Sequence, residues 1–173
     1  MNIQEFSAKK HRGERISMVT CYDAWSARLI ADSAIDCVLV GDSLAMVVYG
    51  HDTTLPIDTD TMAAHTAAVR RGAPDKFIIG DMPFLSYQVD LAEARRNAGR
   101  LIKQGGAHAV KLEGGVQIAE TIRAIVAMDI PVVGHVGLTP QSVHRMGGYR
   151  VQGREQARAD QLLADAATSA SSR

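Results

Sequence analysis

Short apolar runs rich in β-branched residues recur along the chain and stop abruptly at polar residues. The run at 37–40, for example, ends at a glycine, a carboxylate and a hydroxyl group, Gly41-Asp42-Ser43. A buried parallel strand that delivers polar groups at its carboxyl end has this pattern. Similar runs predict strands at 76–80, 109–113 and 131–135. Together these strands would bring five polar side chains to one rim of a sheet. They are those of Asp42, Asp81, Lys111, Glu113 and His135.

Helical segments separate these predicted strands. An earlier strand is predicted at 16–21, and the intervening patterns predict helices at about 24–33, 59–71, 90–104, 116–128 and 154–167. Asp90 with Glu93 three residues later is typical of a helix amino terminus, and Gly72 is expected to end the helix before it. Strands that alternate with helical crossovers predict an α/β protein with a parallel sheet.

Two architectures remain open from this pattern. An open, doubly wound sheet of five strands fits the length of 173 residues, whereas a complete (β/α)8 barrel needs roughly 200 residues or more. The polar group at the end of nearly every strand favours the barrel, whose active site draws on many strand ends. An open sheet concentrates its site at one switch point, and no Gly-x-Gly-x-x-Gly motif follows the first strand.

Composition excludes several classes of function. The chain carries 19 basic and 19 acidic residues, so its charge favours neither nucleic acid nor an anionic membrane as a partner. No apolar run is long enough to span a bilayer, and the polar amino terminus does not resemble a secretory signal. Cys21 and Cys37 lie inside apolar runs, which predicts buried thiols in a reducing cytoplasm rather than a disulfide.

The candidate site residues have structural interpretations as well as functional ones. A single aspartate after a strand is usually a helix cap, a Lys-x-Glu pair is usually a surface ion pair, and a single histidine in an apolar strand is usually a core residue. Three carboxylates, a lysine and a histidine at equivalent strand ends are harder to explain in this way. Since hard divalent cations prefer carboxylate oxygens, the set favours a metal-assisted site.

Seven segments carry a resemblance to a known family. In chain order they are VGDSL (40–44), GHDTTLP (50–56), HTAAVRRGAP (65–74), DMPF (81–84), VKLEGG (110–115), GHVGLTPQS (134–142) and GGYRVQG (147–153). They resemble the ketopantoate hydroxymethyltransferase family, collinearly from about residue 16 to residue 166. The resemblance implies a (β/α)8 TIM barrel of the phosphoenolpyruvate/pyruvate-binding superfamily, incomplete here with about five strands.

The family's activity follows from the resemblance alone. It implies transfer of a one-carbon unit from 5,10-methylenetetrahydrofolate to 3-methyl-2-oxobutanoate, which gives 2-dehydropantoate for pantothenate and coenzyme A synthesis. It also implies Mg²⁺ or a similar divalent ion, a cytoplasmic location and a large homo-oligomer, commonly a decamer, with neither nucleic acid nor membrane as a partner.

The resemblance also implies roles for individual residues. Asp42 and Asp81 would be metal-associated carboxylates, and Glu113 a further carboxylate linked to the metal. Substrate contact would involve Ser43 and Lys111 together with Asp42 and Asp81, and His135 would hydrogen-bond the substrate. The family's proton-acceptor glutamate lies on the following strand, and no residue of this chain matches it, so no catalytic residue is assigned.

The length of the chain leads to a further interpretation. We interpret residues 1–173 as one partial TIM-barrel domain that is truncated at its carboxyl terminus, with 168–173 as a non-native or disordered tail. Three hypotheses follow: a hydroxymethyltransferase that needs the remainder of the barrel, an inactive fragment that keeps only the metal and keto-acid half-site, and another lyase of the superfamily that acts on a 2-oxo acid.

Overall fold

The computed structural model describes residues 2–148 and 150–171. Five strands alternate with helices along the chain. The strands are β1 (Met18–Thr20), β2 (Cys37–Val40), β3 (Phe77–Asp81), β4 (Ala109–Glu113) and β5 (Val132–His135). The helices are α1 (Ile3–His11), α2 (Ala24–Ala31), α3 (Leu44–Val47), α4 (Thr59–Gly72), α5 (Leu91–Lys103), α6 (Ala119–Val126), α7 (Val143–Met146) and α8 (Gln156–Ser171), with 3₁₀ turns at Val116–Ile118 and Pro140–Ser142.

The strands form one parallel sheet in the order β1-β2-β3-β4-β5, which confirms the predicted α/β class. Because each strand pairs with the next in sequence, right-handed crossovers place the connecting helices on the same face of the sheet. A doubly wound sheet reverses its strand order and places helices on both faces. The observed order is therefore that of a partial barrel, and β1 and β5 are its two edges.

The two faces of the sheet have separate apolar clusters. On the outer face, which the connecting helices cover, side chains such as Val38, Ile78 and Leu112 pack in one large core with residues of these helices. On the inner face, a smaller cluster contains the side chains of Cys37, Leu39, Phe77, Ile79 and Ala109, with Phe6 and Val133 packed against it. Both cysteines are free and buried, as predicted.

The amino-terminal helix α1 packs against the inner-face cluster. The Phe6 ring meets the Phe77 ring edge-on, with 4.8 Å between the ring centroids. Nζ of Lys9 lies 2.5 Å from Oδ1 of Asp36, the residue that precedes β2. The helix thus covers the part of the inner face that lies toward the amino ends of the strands.

One predicted helix boundary is confirmed, and the glycine predicted to end another helix has a further role. The Asp90 carboxylate accepts a hydrogen bond from the Glu93 N–H at 2.7 Å, so the predicted helix start is confirmed. Gly72 is the last residue of α4, and a Cβ added there would lie 2.5 Å from the Ala24 carbonyl oxygen. Its main structural role is therefore the close approach of α4 to α2.

The carboxyl-terminal segment is helical where the structure describes it. Helix α8 continues through Ser171 and so includes 168–171 of the predicted tail, while 172 and 173 lie outside the described residues. Alanine is the strongest helix former, which explains why an Ala/Ser run without an apolar period extends a helix. None of the helices in the described ranges has the length and hydropathy that a bilayer-spanning segment needs.

Candidate active site

The candidate site lies at the carboxyl ends of the strands, on the inner face of the sheet. The strand register sets Asp81 beside Lys111 and Glu113 beside His135. Asp42 lies two residues beyond the end of β2. Parallel strands present their carboxyl ends at one edge, and the alternation of side chains along β3, β4 and β5 brings four of these groups to a single rim. Asp42 reaches the same rim through the turn after β2. The structure thus gathers the five residues of the predicted rim.

An ion pair lies at the centre of this rim. Nζ of Lys111 lies 2.6 Å from Oδ1 and 2.5 Å from Oδ2 of Asp81. The same Nζ is 3.7 Å from Oε1 of Glu113. The backbone N–H of Asp42 donates a hydrogen bond to Oδ2 of Asp81 at 3.2 Å. Lys111 therefore links the carboxylates of two neighbouring strands, and Asp81 also fixes the backbone after β2.

Gln141 connects two of the carboxylates, those of Asp42 and Glu113. Its Nε2 donates to Oδ2 of Asp42 at 2.8 Å and to the Met82 carbonyl at 2.9 Å. Its backbone N–H donates to Oε2 of Glu113 at 3.0 Å. One residue in the loop after β5 therefore holds acids that follow β2 and end β4.

Tyr87 completes this network. Its hydroxyl group donates to Oε1 of Gln141 at 2.8 Å and accepts a hydrogen bond from the Glu113 N–H at 3.0 Å. Burial raises the pKa of the Tyr87 phenol, so it remains protonated and keeps its hydrogen to donate. Nδ1 of His135 lies 2.9 Å from Oε1 of Glu113. Both carboxylate oxygens of Glu113 are thereby engaged by neighbouring residues.

Burial and mutual repulsion perturb the charged groups of the rim. Burial, together with the negative charge of Asp81, raises the pKa of Asp42 to about 7. Burial also raises the pKa of Asp81, and the Lys111 ammonium opposes that shift. For Lys111, burial alone would lower the pKa, but the charge and hydrogen bonds of Asp81 outweigh it and the pKa is raised. Three carboxylates thus face one ammonium group, which leaves negative charge uncompensated.

Ser43 lies beside the rim and is held by a hydrogen bond to Tyr22. Its Oγ is 3.0 Å from the Tyr22 hydroxyl oxygen. The backbone carbonyl of Tyr22 lies 2.5 Å from Nδ1 of His65, and Nε2 of His65 lies 3.0 Å from the Tyr49 hydroxyl oxygen. His65 therefore has a structural role, since it fixes the residue that contacts Ser43.

The residues fit a hard divalent cation by the chemistry of their donors. Asp42 and Asp81 present carboxylate oxygens, the ligands that Mg²⁺ prefers, and Mg²⁺ commonly takes only a few ligands from protein. Within residues 2–148 and 150–171, no three acidic, histidine or cysteine side chains are already arranged around one point as metal ligands. Lys111 occupies both oxygens of Asp81, and Glu113 is held by its own partners, so a cation would engage Asp42 first and share Asp81 with Lys111.

Sequence reasoning missed Gln141 and Tyr87. Gln141 follows Pro140, which fixes the 3₁₀ turn that buries the glutamine side chain. The signal available in the sequence was a polar residue directly after a turn-forming proline. Tyr87 lies in the loop between β3 and α5, and its partner Gln141 is 54 residues away. Such a long-range contact has no local sequence signal.

Solved structures with this fold define the class of protein. The fold resembles 2,3-dimethylmalate lyase, a member of the PEP mutase/isocitrate lyase superfamily, with a TM-score of 0.67 and 17% sequence identity over 98% of this chain and 60% of that one. It also resembles phosphonopyruvate hydrolase, with a TM-score of 0.72 and 12% identity over 99% of this chain and 60% of that one. The chain therefore has the (β/α)-barrel fold of this superfamily, in part.

Sequence comparison identifies the family within that class. A sequence model of the ketopantoate hydroxymethyltransferase family matches residues 1–172. The 3-methyl-2-oxobutanoate hydroxymethyltransferase of Geotalea daltonii is 58% identical over 164 residues, which are 95% of this chain and 61% of that protein. The enzyme of the same name from Coxiella burnetii is 54% identical over 96% of this chain and 62% of its own length. The chain belongs to the ketopantoate hydroxymethyltransferase family and spans about three fifths of the length of these relatives.

Proposed function

We propose that this chain carries the metal- and keto-acid-binding half of a hydroxymethyltransferase site. The reaction is the transfer of a one-carbon unit from 5,10-methylenetetrahydrofolate to 3-methyl-2-oxobutanoate, giving 2-dehydropantoate for pantothenate synthesis. The observation that carries the proposal is the rim itself, where Asp42, Asp81, Lys111 and Glu113 are buried together at adjoining strand ends. Relatives named 3-methyl-2-oxobutanoate hydroxymethyltransferase that are 54–58% identical to this chain support the choice of substrate.

The reaction requires a carbon acid next to a ketone to lose a proton and attack a methylene carbon. A bound Mg²⁺ or similar ion, held by Asp42 and Asp81, would supply Lewis-acid stabilisation of the negative charge that develops at the keto oxygen. Lys111 is positioned to balance that charge or to bind the substrate carboxylate. Ser43 and His135 would orient the substrate through hydrogen bonds, and Glu113 would stay linked to the metal through its neighbours.

The proton acceptor is assigned to the part of the relatives that this chain does not match. Each acid of the rim is already committed, since Asp81 pairs with Lys111 and Glu113 is held by Gln141 and His135. Asp42 accepts a hydrogen bond from Gln141 and is the proposed first ligand of the metal. We therefore propose that the chain binds metal and keto acid by itself and turns over only together with the remaining polypeptide. Under this proposal the chain binds without turnover by itself, and it is active when the rest of the barrel is present.

We also propose that the chain assembles with copies of itself. Helix α2 exposes 68% of Trp25 and 67% of Leu29, which are large apolar side chains. Exposed apolar side chains next to each other on one helix are typical of an interaction site, which supports assembly into a homo-oligomer.

Calorimetric titration of the purified chain tests the proposal. Titration with 3-methyl-2-oxobutanoate should release saturable heat in the presence of Mg²⁺ and little or none without it. Asp42→Asn should abolish that signal, because it removes a ligand charge, whereas Asp75→Asn, an exposed loop substitution away from the rim, should keep it. A flat trace from a chain that melts cooperatively would overturn the proposal.

A further inference from the structure

A chain of hydrogen bonds connects helix α4 to the candidate site. It begins at the exposed Tyr49, whose hydroxyl oxygen lies 3.0 Å from Nε2 of His65 on α4. Nδ1 of His65 lies 2.5 Å from the backbone carbonyl oxygen of Tyr22, and the Tyr22 hydroxyl oxygen lies 3.0 Å from Oγ of Ser43. We call these four residues the Ser43 network. It ends at the hydroxyl group that the proposed function assigns to substrate contact.

The Ser43 hydroxyl is available to a ligand because helix α3 does not use it. Ser43 directly precedes α3, but its side chain makes no capping hydrogen bond there, and the residue is half-buried. A Cβ added at Gly41 would lie 2.9 Å from Oγ of Ser43 and 3.8 Å from Oδ2 of Asp81. The glycine therefore lets the serine hydroxyl lie close to the ion pair at the centre of the rim.

The direction of the bond between Tyr22 and Ser43 decides what Ser43 can offer a substrate. A serine hydroxyl has one hydrogen, and the oxygens of an ionised keto acid only accept. Ser43 can donate to such a substrate only if it accepts its other hydrogen bond from Tyr22. Because a hydroxyl group that accepts a hydrogen bond becomes a stronger donor, Tyr22 would both direct and strengthen the bond from Ser43 to the substrate.

His65 fixes the backbone from which the Tyr22 ring extends. Because a carbonyl oxygen only accepts, Nδ1 of His65 carries a hydrogen, and in the neutral ring Nε2 then accepts from the hydroxyl group beside it. The next residue, Asp23, accepts a hydrogen bond from the Ser26 N–H at 2.8 Å and so begins α2. The backbone is therefore held at Tyr22 and directly after it, which keeps the Tyr22 hydroxyl beside Ser43.

We propose that His65 is a positioning residue for keto-acid binding, which acts through Tyr22 on the Ser43 hydroxyl. The inference rests on the proposed function, in which Ser43 orients the substrate through a hydrogen bond. His65 does not itself contact the substrate, because Tyr22 lies between it and Ser43. The affinity for the keto acid therefore depends on a histidine of a helix on the outer face of the sheet.

Calorimetric titration with 3-methyl-2-oxobutanoate in the presence of Mg²⁺ tests this role, well below the melting temperature of each variant. His65→Leu removes the donor to Tyr22 and should weaken binding by about fivefold, the effect of one lost hydrogen bond. His65→Asn should restore most of the affinity, because its side-chain amide can donate in place of Nδ1. The matched control Arg71→Leu, an exposed substitution on the same helix, should change the affinity by less than about twofold.

A second background shows whether His65 acts through Tyr22. Tyr22→Phe removes the hydroxyl group, keeps the ring, and should by itself weaken binding by about fivefold. In the Tyr22→Phe background, His65→Leu should have little further effect on the affinity, because the hydroxyl group that His65 positions is absent. A general loosening of the fold would instead weaken binding by the same factor in both backgrounds, and that result would overturn the proposal.

The outcomes separate this inference from the proposed function. Saturable, Mg²⁺-dependent binding that is equal in His65→Leu and in the unchanged chain would overturn the role of His65 and leave the proposed function intact. A flat trace from an unchanged chain that melts cooperatively would overturn both. If His65→Leu does not melt cooperatively, Tyr22→Phe decides, and binding by Tyr22→Phe as tight as that of the unchanged chain would overturn the proposal.

Discussion

Replacement of Gln141 by leucine tests the hydrogen-bond network that organises the candidate site. The substitution keeps the approximate size of the side chain and removes the donor to Oδ2 of Asp42 at 2.8 Å and to the Met82 carbonyl at 2.9 Å. It also removes the acceptor of the Tyr87 hydroxyl hydrogen at 2.8 Å. The backbone N–H that binds Glu113 remains in place, so the effect isolates the amide group.

The size of the effect follows from these contacts. A hydrogen bond to a charged group contributes about 1.5–3 kcal/mol, and one between neutral groups contributes about 1 kcal/mol. The Tyr87 hydroxyl keeps the Glu113 carbonyl as an acceptor at 3.0 Å. Loss of the carboxylate bond and of the bond to Met82 should therefore lower the free energy of unfolding by about 3 kcal/mol. In a chain of 173 residues this corresponds to a fall in Tm of roughly 6–12 °C.

Urea melts of five proteins, the four of a double-mutant cycle and one control, make the measurement specific. A double-mutant cycle of Gln141→Leu and Asp42→Ala should give a coupling energy of about 1.5–3 kcal/mol, because only the bond between the two residues is absent from both single variants. Gln117→Leu, an exposed substitution, should change stability by less than about 0.5 kcal/mol. A coupling energy below about 0.5 kcal/mol in folded protein would refute the geometry described for Gln141.

Three further predictions concern the amino-terminal half of the sheet. The Lys9 ammonium holds the pKa of Asp36 at about 2, so Asp36→Asn should cost about 1 kcal/mol at pH 7 after solvent screening. That difference should shrink as the pH falls from about 4 to about 2, and a pH-independent difference in urea melts would contradict it. Burial raises the pKa of Cys37 to about 11, so its thiol should react with an aromatic disulfide reagent at pH 8 only after urea unfolds the chain, and rapid labelling in native buffer would show that it is not buried. Phe6→Ala should lower stability by about 2 kcal/mol, because its ring packs on Phe77 and is only partly buried; an unchanged urea midpoint would show that α1 is not docked.

The fold class was predictable because parallel strands have a strong local signal. Runs such as 37–40 and 76–80 are apolar on both faces of the strand, and their crossover lengths require a parallel sheet. The choice between a barrel and a doubly wound sheet was not predictable from the pattern, because strand order depends on long-range pairing. Gly72 shows a second limit, since its close approach to Ala24 arises from helix packing and has no local signature.

The candidate site was predictable to the extent that it consists of strand ends. Asp81, Lys111 and Glu113 follow from strand periodicity, because side chains two residues apart share one face. Gln141 and Tyr87 could not be inferred in this way, since both lie in loops whose path is set by tertiary contacts. Their hydrogen bonds nevertheless determine the orientation of Asp42 and hold Glu113. The sequence therefore predicted the charged groups, and tertiary structure supplies the groups that orient them.

Strand β5 links the candidate site to the open edge of the sheet. The His135 side chain faces the rim and contacts Glu113, while the backbone of the preceding Gly134 faces away from β4. The His135 side chain is 31% exposed, whereas that of Glu113 is 3% exposed, so solvent reaches the rim from the side of β5. Any reduction of this exposure would strengthen the electrostatic interactions of His135 and Glu113 with a substrate, because charges interact more strongly away from water. The edge of the sheet at β5 is therefore where access of solvent to the site is decided.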